Sequence, residues 1–204
     1  RHWIGTPIAA ALLMTGLAMA APGDRQDTPA APRPGVRLEG VLDPAGKPRN
    51  PFGNPAHTAV VLLFISIDCP ICNRYAPEIQ RMDARFGPEG VKFWLIQPDA
   101  DESLTRTRKH LQEFGYNIDL LRDTQGSLVR LTHARVTPEA AVFDAQGRLV
   151  YRGRIDDRYA DFGKARPAPT RRELQDALES LLAGRPIAVT NAPAVGCAIP
   201  PLTR

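Results

Sequence analysis

Cysteine is scarce in this chain, with three in 204 residues. That is too few to staple a small fold together, so a packed core must do that work. An excess of one charge is also missing: 26 Lys and Arg face 22 Asp and Glu, a formal net charge of +4, and the signs alternate along the chain. Nothing there resembles the basic stripe of a nucleic-acid surface. No internal repeat is visible, and beyond the first twenty residues no apolar run is long enough to span a bilayer. Hydrophobic residues make up 43% of the chain, enough for a core, which excludes general disorder.

The two ends read differently from the middle. Arg1 and His2 give a short basic start, Pro7 to Ala20 is almost wholly apolar, and Ala18-Met19-Ala20 supplies a small-x-small cleavage pattern. Residues 1–20 are therefore expected to be an export signal, leaving 204 − 20 = 184 residues to act in the periplasm or outside the cell. The apolar run is short and no basic stop-transfer cluster follows, which argues against a membrane anchor and leaves no membrane span after signal removal. Residues 21–35 contain Pro22, Pro29, Pro32 and Pro34 and no large apolar side chain, so they are expected to be a linker. A folded domain is expected over 36–184. Residues 185–204, with Pro186, Pro193, Pro200 and Pro201, read as an irregular tail that holds Cys197.

Within the middle, Val60 to Ile67 is a continuous β-branched and aromatic run, as in a strand buried on both faces. Ile71, Tyr75, Ile79, Met82 and Phe86 then recur at helical spacing, and Gly87-Pro88 stops the pattern. Val91 to Ile96 predicts a second strand and 101–116 a mostly polar helix. A short strand and helix are expected over 120–136. Ala140–Phe143 and Leu149–Ile155 flank a turn at 145–148, a hairpin signal. Thr170 and Glu173 form a capping box for a last helix that Gly184 ends. The order predicts an α/β sandwich, parallel at its centre, with an antiparallel hairpin at one edge.

The chemistry concentrates at Cys69-Pro70-Ile71-Cys72, where the buried strand gives way to the first helix. A cysteine at a helix N-terminus meets free backbone N–H groups and the positive end of the dipole, which favour its thiolate. Pro70 suits the first helical turn. Cys69 is thus the expected attacker, reachable from solvent, and Cys72, one turn on, the resolver. The alternatives are less well supplied. A zinc site lacks a second pair of cysteines, and haem attachment would need His where Asn73 stands. No cofactor is implied.

With these residues the chain resembles the thioredoxin superfamily, in particular its exported redoxin branch of peroxiredoxin-like and TlpA/ResA-like domains. Pro77, five residues past Cys72, matches the proline inside the active-site helix of that family. Thr137-Pro138 before a strand matches its cis-proline, and 144–148 its acidic-Gly hairpin turn. The resemblance implies a three-layer sandwich, a central mixed sheet with helices on both faces. It also implies a cis Pro138 beside the cysteines and a Thr137 backbone free to pair with a substrate strand. Pro70, Ile71, Thr137 and Pro138 would then support the site, and the partners would be proteins carrying thiols or disulfides.

Several positions depart from that pattern. Pro-Ile separates the cysteines instead of Gly-Pro, Asp68 precedes Cys69 where an aromatic is usual, and Leu63 stands where a buried acid often sits. Asp68 is expected to oppose a Cys69 thiolate if it lies close. A peroxidatic Pro-x-x-x-Thr/Ser-x-x-Cys is absent, because Leu62 occupies its proline position ahead of Ser66 and Cys69. Efficient peroxide reduction is not expected, although a weak thiol peroxidase, antioxidant role stays open. Cys197 has three readings: a packed thiol, a third redox thiol pairing with Cys69 or another chain, or a soft ligand in a Cu(I) site with Cys69, Cys72 and His133. The last defines an alternative function, a periplasmic copper chaperone. The charged run Gly153 to Tyr159 reads as a solvated loop with local ion pairs.

Overall fold

The computed structural model describes residues 38–201, together with His2. The expected export signal and the linker up to residue 35 lie outside the described residues, apart from His2.

The chain runs β1 (Val41–Leu42), β2 (Ala59–Phe64), α1 (Pro70–Phe86), β3 (Val91–Gln97), α2 (Leu104–Glu113), β4 (Leu120–Asp123), α3 (Ser127–Thr132), β5 (Val136–Thr137), β6 (Glu139–Asp144), β7 (Leu149–Gly153), β8 (Tyr159–Asp161), β9 (Lys164–Ala165), α4 (Glu173–Leu182), β10 (Asn191–Ala192) and β11 (Cys197–Ala198). Seven strands form one mixed sheet in the order β1-β4-β3-β2-β6-β7-β10. β2, β3 and β4 are parallel, while β6 pairs antiparallel with β2 and β7 antiparallel with β6. The three-layer α/β sandwich expected from the sequence is the observed one.

All six residues of β2 are buried because both faces of the sheet are covered. Val61 and Leu63 pack with Ile71, Tyr75, Ile79, Met82 and Phe86 of α1 and with Leu174, Ala177 and Leu178 of α4. Val60, Leu62 and Phe64 face the other way, onto Leu128 of α3, Phe143 and Leu149. Each such side chain contributes about 1.5–3 kcal/mol when fully buried. The apolar run of β2 and the helical stripe of α1 are thus two halves of one core, and the turn between them is held from both sides.

Four local expectations change. The hairpin β6–β7 is not the sheet edge, because β10 from the C-terminal segment pairs in parallel with β7. That pairing needs Gly153: its φ is +148°, and a Cβ there would lie 2.0 Å from the Ala192 carbonyl oxygen. Residues 185–201 are therefore not simply an irregular tail. They supply β10 and β11, strands too short to leave a periodic pattern in the sequence.

The capping box also fails. Helix α4 begins at Glu173 with Arg172 at its N-cap and no side-chain cap. The Thr170 hydroxyl donates to Asp157 Oδ2 at 2.5 Å, and Glu173 pairs with Arg154. Tertiary partners have taken both side chains from the local motif.

The same contacts overturn the solvated reading of the charged run. Ile155, Asp156, Asp157 and Tyr159 are all buried. Asp156 accepts hydrogen bonds from the Tyr75 hydroxyl of α1 and, at 2.9 Å, from the Arg158 N–H. Asp157 accepts from the N–H groups of Thr170 (2.6 Å) and Arg171 (3.0 Å), fixing the turn that leads into α4. Burial pushes the Asp157 carboxyl up, but the Thr170 hydroxyl, these two N–H groups and Arg166 outweigh it and hold the group down at about 2. Its contribution to stability is thus complete above the unfolded value of about 3.9 and is lost as pH falls through about 2. Asp157→Ala would leave three donors without their partner. It should lower the unfolding free energy by about 2–4 kcal/mol in denaturant titration at pH 7, and a loss within about 0.5 kcal/mol would contradict this role.

Candidate functional site

Cys69 is the N-cap residue of α1, with extended backbone (φ −86°, ψ 112°), and Pro70 takes the first helical position. The buried strand β2 fixes where the turn begins, and the apolar stripe of α1 fixes the direction in which the helix leaves it. The site is therefore built on two core elements and does not depend on a loose loop.

Around Cys69 Sγ the structure gathers groups from three segments. Cys72 stands one turn into α1, buried beside it. The Thr137 carbonyl oxygen lies 3.1 Å away, just before the Thr137-Pro138 bond, which is cis. Cys197 Sγ lies 2.8 Å away. The third cysteine, 128 positions distant in sequence, is thus the sulfur in contact with the expected nucleophile. Pro70 and Ile71 stand in the first turn of α1, with Ile71 buried in the core.

The three thiols are not equivalent. The Cys72 thiol, despite opposing desolvation, draws the Cys69 thiol far below its ordinary range; the Cys197 thiol and the N–H groups of Cys72 and Cys197 add to the effect, which brings it to about 4. Burial pushes Cys72 well up, and a charged Cys69 beside it pushes it further. Burial and the same neighbour raise Cys197 to about 11. One sulfur is drawn toward the thiolate and its two neighbours toward the protonated thiol, a division of roles suited to nucleophilic attack and resolution.

Three sequence expectations about this site do not hold. Asp68 does not face the thiolate. Its side chain is 69% exposed and pairs with Arg106 of α2 at 2.8 Å, so its charge is met by a guanidinium in solvent. Nor is Cys69 open to solvent. It is 1% exposed, and Cys72 2%, because the segment carrying Cys197 lies across the turn. His133 does not join the cysteines. It is the left-handed C-cap of α3, and its carbonyl accepts from Arg152. Among the described residues, no group of three or more His, Cys, Asp or Glu is arranged to hold a metal ion. Leu62, at the position of the missing peroxidatic proline, is a core residue of β2.

Sequence reasoning missed Glu139. This buried carboxylate, the first residue of β6, accepts through Oε2 from the N–H groups of Arg135 (2.8 Å) and Val136 (3.3 Å). It thereby clamps the segment that carries Thr137 beside Cys69. A lone Glu after a proline gives no signal of this, because its partners are main-chain groups placed by the turn.

Mixed sheet, helix-capping cysteine and adjacent cis-proline define a thioredoxin-like fold, and the comparisons with known proteins agree on that fold. The model of the AhpC/TSA family matches residues 54–152, the part of the chain that contains β2 to β7. Two solved structures each superpose on 78% of this chain with a TM-score of 0.66. One is a hypothetical protein of Sinorhizobium meliloti 1021, 24% identical over 88% of its own length, and the other an uncharacterized conserved protein of Geobacillus kaustophilus, 26% identical over 86%. A thioredoxin-like protein of Aeropyrum pernix, 17% identical, matches 71% of this chain and 87% of its own with a TM-score of 0.51. No curated protein matches the chain. The fold is thioredoxin-like, and over residues 54–152, just under half of its 204 residues, the chain resembles the AhpC/TSA family.

Proposed function

We propose that the chain is an exported thiol–disulfide oxidoreductase in which Cys69 attacks a partner's disulfide and Cys72 resolves the product. The observation that carries this reading is the geometry at one helix N-terminus, where Cys69 caps α1 with Cys72 one turn on and the Thr137 carbonyl lies 3.1 Å from Cys69 Sγ beside the cis Thr137-Pro138 bond. Cys69 attacks one sulfur of the partner disulfide, the other sulfur leaves as a thiolate and takes up a proton, and a mixed disulfide remains on Cys69. Cys72 gives up its proton, bonds to Cys69 Sγ and expels the partner's second thiol. Two protein thiols are oxidised and one disulfide is reduced; the cycle also runs in reverse. Export to the periplasm or beyond rests on the N-terminal pattern alone. It suits the chemistry, since disulfide-bearing partners persist in oxidising compartments.

The Cys72→Ser, Cys197→Ser double variant tests the reading by removing both sulfurs able to release a captured partner. Incubated with a disulfide-bearing protein such as insulin, it should accumulate a stable adduct linked through Cys69, visible on non-reducing gels and absent when Cys69 is also Ser. If no adduct forms, exchange at Cys69 is not this protein's chemistry.

A further inference from the structure

The C-terminal segment is attached to the site through the main chain as well as through its sulfur. β11 pairs antiparallel with β5, with Cys197 opposite Thr137 and Ala198 opposite Val136. Outside the pair, the Ile199 N–H donates to the Arg135 carbonyl at 3.0 Å. Gly196 makes the approach possible, since a Cβ there would sit 2.1 Å from the Thr137 carbonyl oxygen and 2.7 Å from its carbon. A second docking point, β10 on β7 at Gly153, holds the chain on its way to the site.

An unpaired stretch such as 136–137 offers N–H and C=O groups to any extended peptide, and pairing with such an edge is a general way of holding a peptide substrate. In this chain the place is filled by its own residues, and the residue laid against the nucleophile is a cysteine.

We propose that Gly196–Ala198 is an internal substrate strand and that Cys197 is a third redox thiol, forming a disulfide with Cys69 during turnover. The inference rests on Cys69 being the nucleophile. Once Cys69 carries a partner in mixed disulfide, Cys197 loses its proton to solvent and attacks Cys69 Sγ. The Cys69–partner bond breaks, the partner leaves as a thiol, and a Cys69–Cys197 bond forms. Cys72 then attacks Cys69 in turn, giving the Cys69–Cys72 disulfide and returning Cys197 as a thiol, with no net electron change in that second step. The 2.8 Å between the two sulfurs leaves under 1 Å to close to a bond of about 2.05 Å. A partner strand reaches Thr137 only by displacing residues 196–198, so the same segment selects partners that compete successfully for that edge.

Oxidised glutathione serves as the probe, in three variants of the full chain. With Cys72→Ser, the expected product has lost two hydrogens, retains no glutathione and yields a Cys69–Cys197 peptide pair in a non-reducing digest. With Cys72→Ser and Cys197→Ser together, Cys69 should keep one glutathione. Adding Gly196→Ala to Cys72→Ser should slow closure by about tenfold or more, because the new Cβ forces the strand off Thr137. A Cys72→Ser protein that keeps its glutathione while Cys197 alkylates freely would overturn the relay and leave the proposed function standing. A double variant that never takes up glutathione would overturn both. Closure at an unchanged rate in the Gly196→Ala background would show that strand docking does not bring the sulfurs together.

Discussion

Cys69→Ser should reduce steady-state thiol–disulfide turnover, for example glutathione-coupled reduction of insulin, by at least about 10³-fold, the scale on which removal of a covalent catalyst's attacking group acts. The geometry gives no substitute. Cys197 Sγ lies 2.8 Å from Cys69 Sγ and Cys72 stands one turn on in α1, so replacing Cys69 removes the sulfur each of them can bond to. Burial is the largest cause raising both remaining thiols, and it persists in the variant. Either could still be captured by an external disulfide, but the product would be a dead-end adduct. Retention of a tenth or more of wild-type turnover would show that another pair of sulfurs carries the reaction.

The second large effect is in pH dependence. In the reduced wild-type protein, alkylation at Cys69 by iodoacetamide, followed by peptide mass mapping, should change less than about twofold between pH 8 and pH 5. A thiol of ordinary pKa, about 8.5, loses close to 10³-fold in thiolate over that range. Because Cys69 is held down to about 4, it stays ionised throughout. Comparing one residue with itself also removes the influence of the overlying strand on access. The linked stability has the same sign: a depressed acid stabilises the reduced fold fully above its unfolded value of about 8.5. That contribution declines as pH falls and is gone below about 4. A rate that fell tenfold per pH unit below 8 would mean that the neighbouring donors do not hold a thiolate. Since the Cys72 thiol is the first cause of the depression, Cys72→Ala should move the midpoint of the profile upward.

The sequence alone was a good guide wherever a signal is local. Val60 to Ile67 and the stripe from Ile71 to Phe86 identified β2 and α1 because burial on two faces and burial on one leave different periods in the chain. The same two patterns put Cys69-Pro70-Ile71-Cys72 at a strand-to-helix junction, from which an activated cysteine follows by elementary electrostatics. Thr137-Pro138 needed the family resemblance, since a Thr-Pro pair by itself says only turn or strand start.

Tertiary structure decided what depends on distant partners. Asp68 looked like a threat to the thiolate until Arg106 of α2 met it in solvent. Asp156 and Asp157 looked solvated until Tyr75 and Thr170 converged on them. Glu139 gave no signal, because its partners are peptide N–H groups. Above all, nothing near Cys197 in the chain says that it lies against Cys69. That contact comes from two-residue strands docked at Gly153 and Gly196, where the requirement is a missing Cβ at a close approach. Periodicity records which face of an element is buried; it cannot record which remote backbone fills the space beside a glycine.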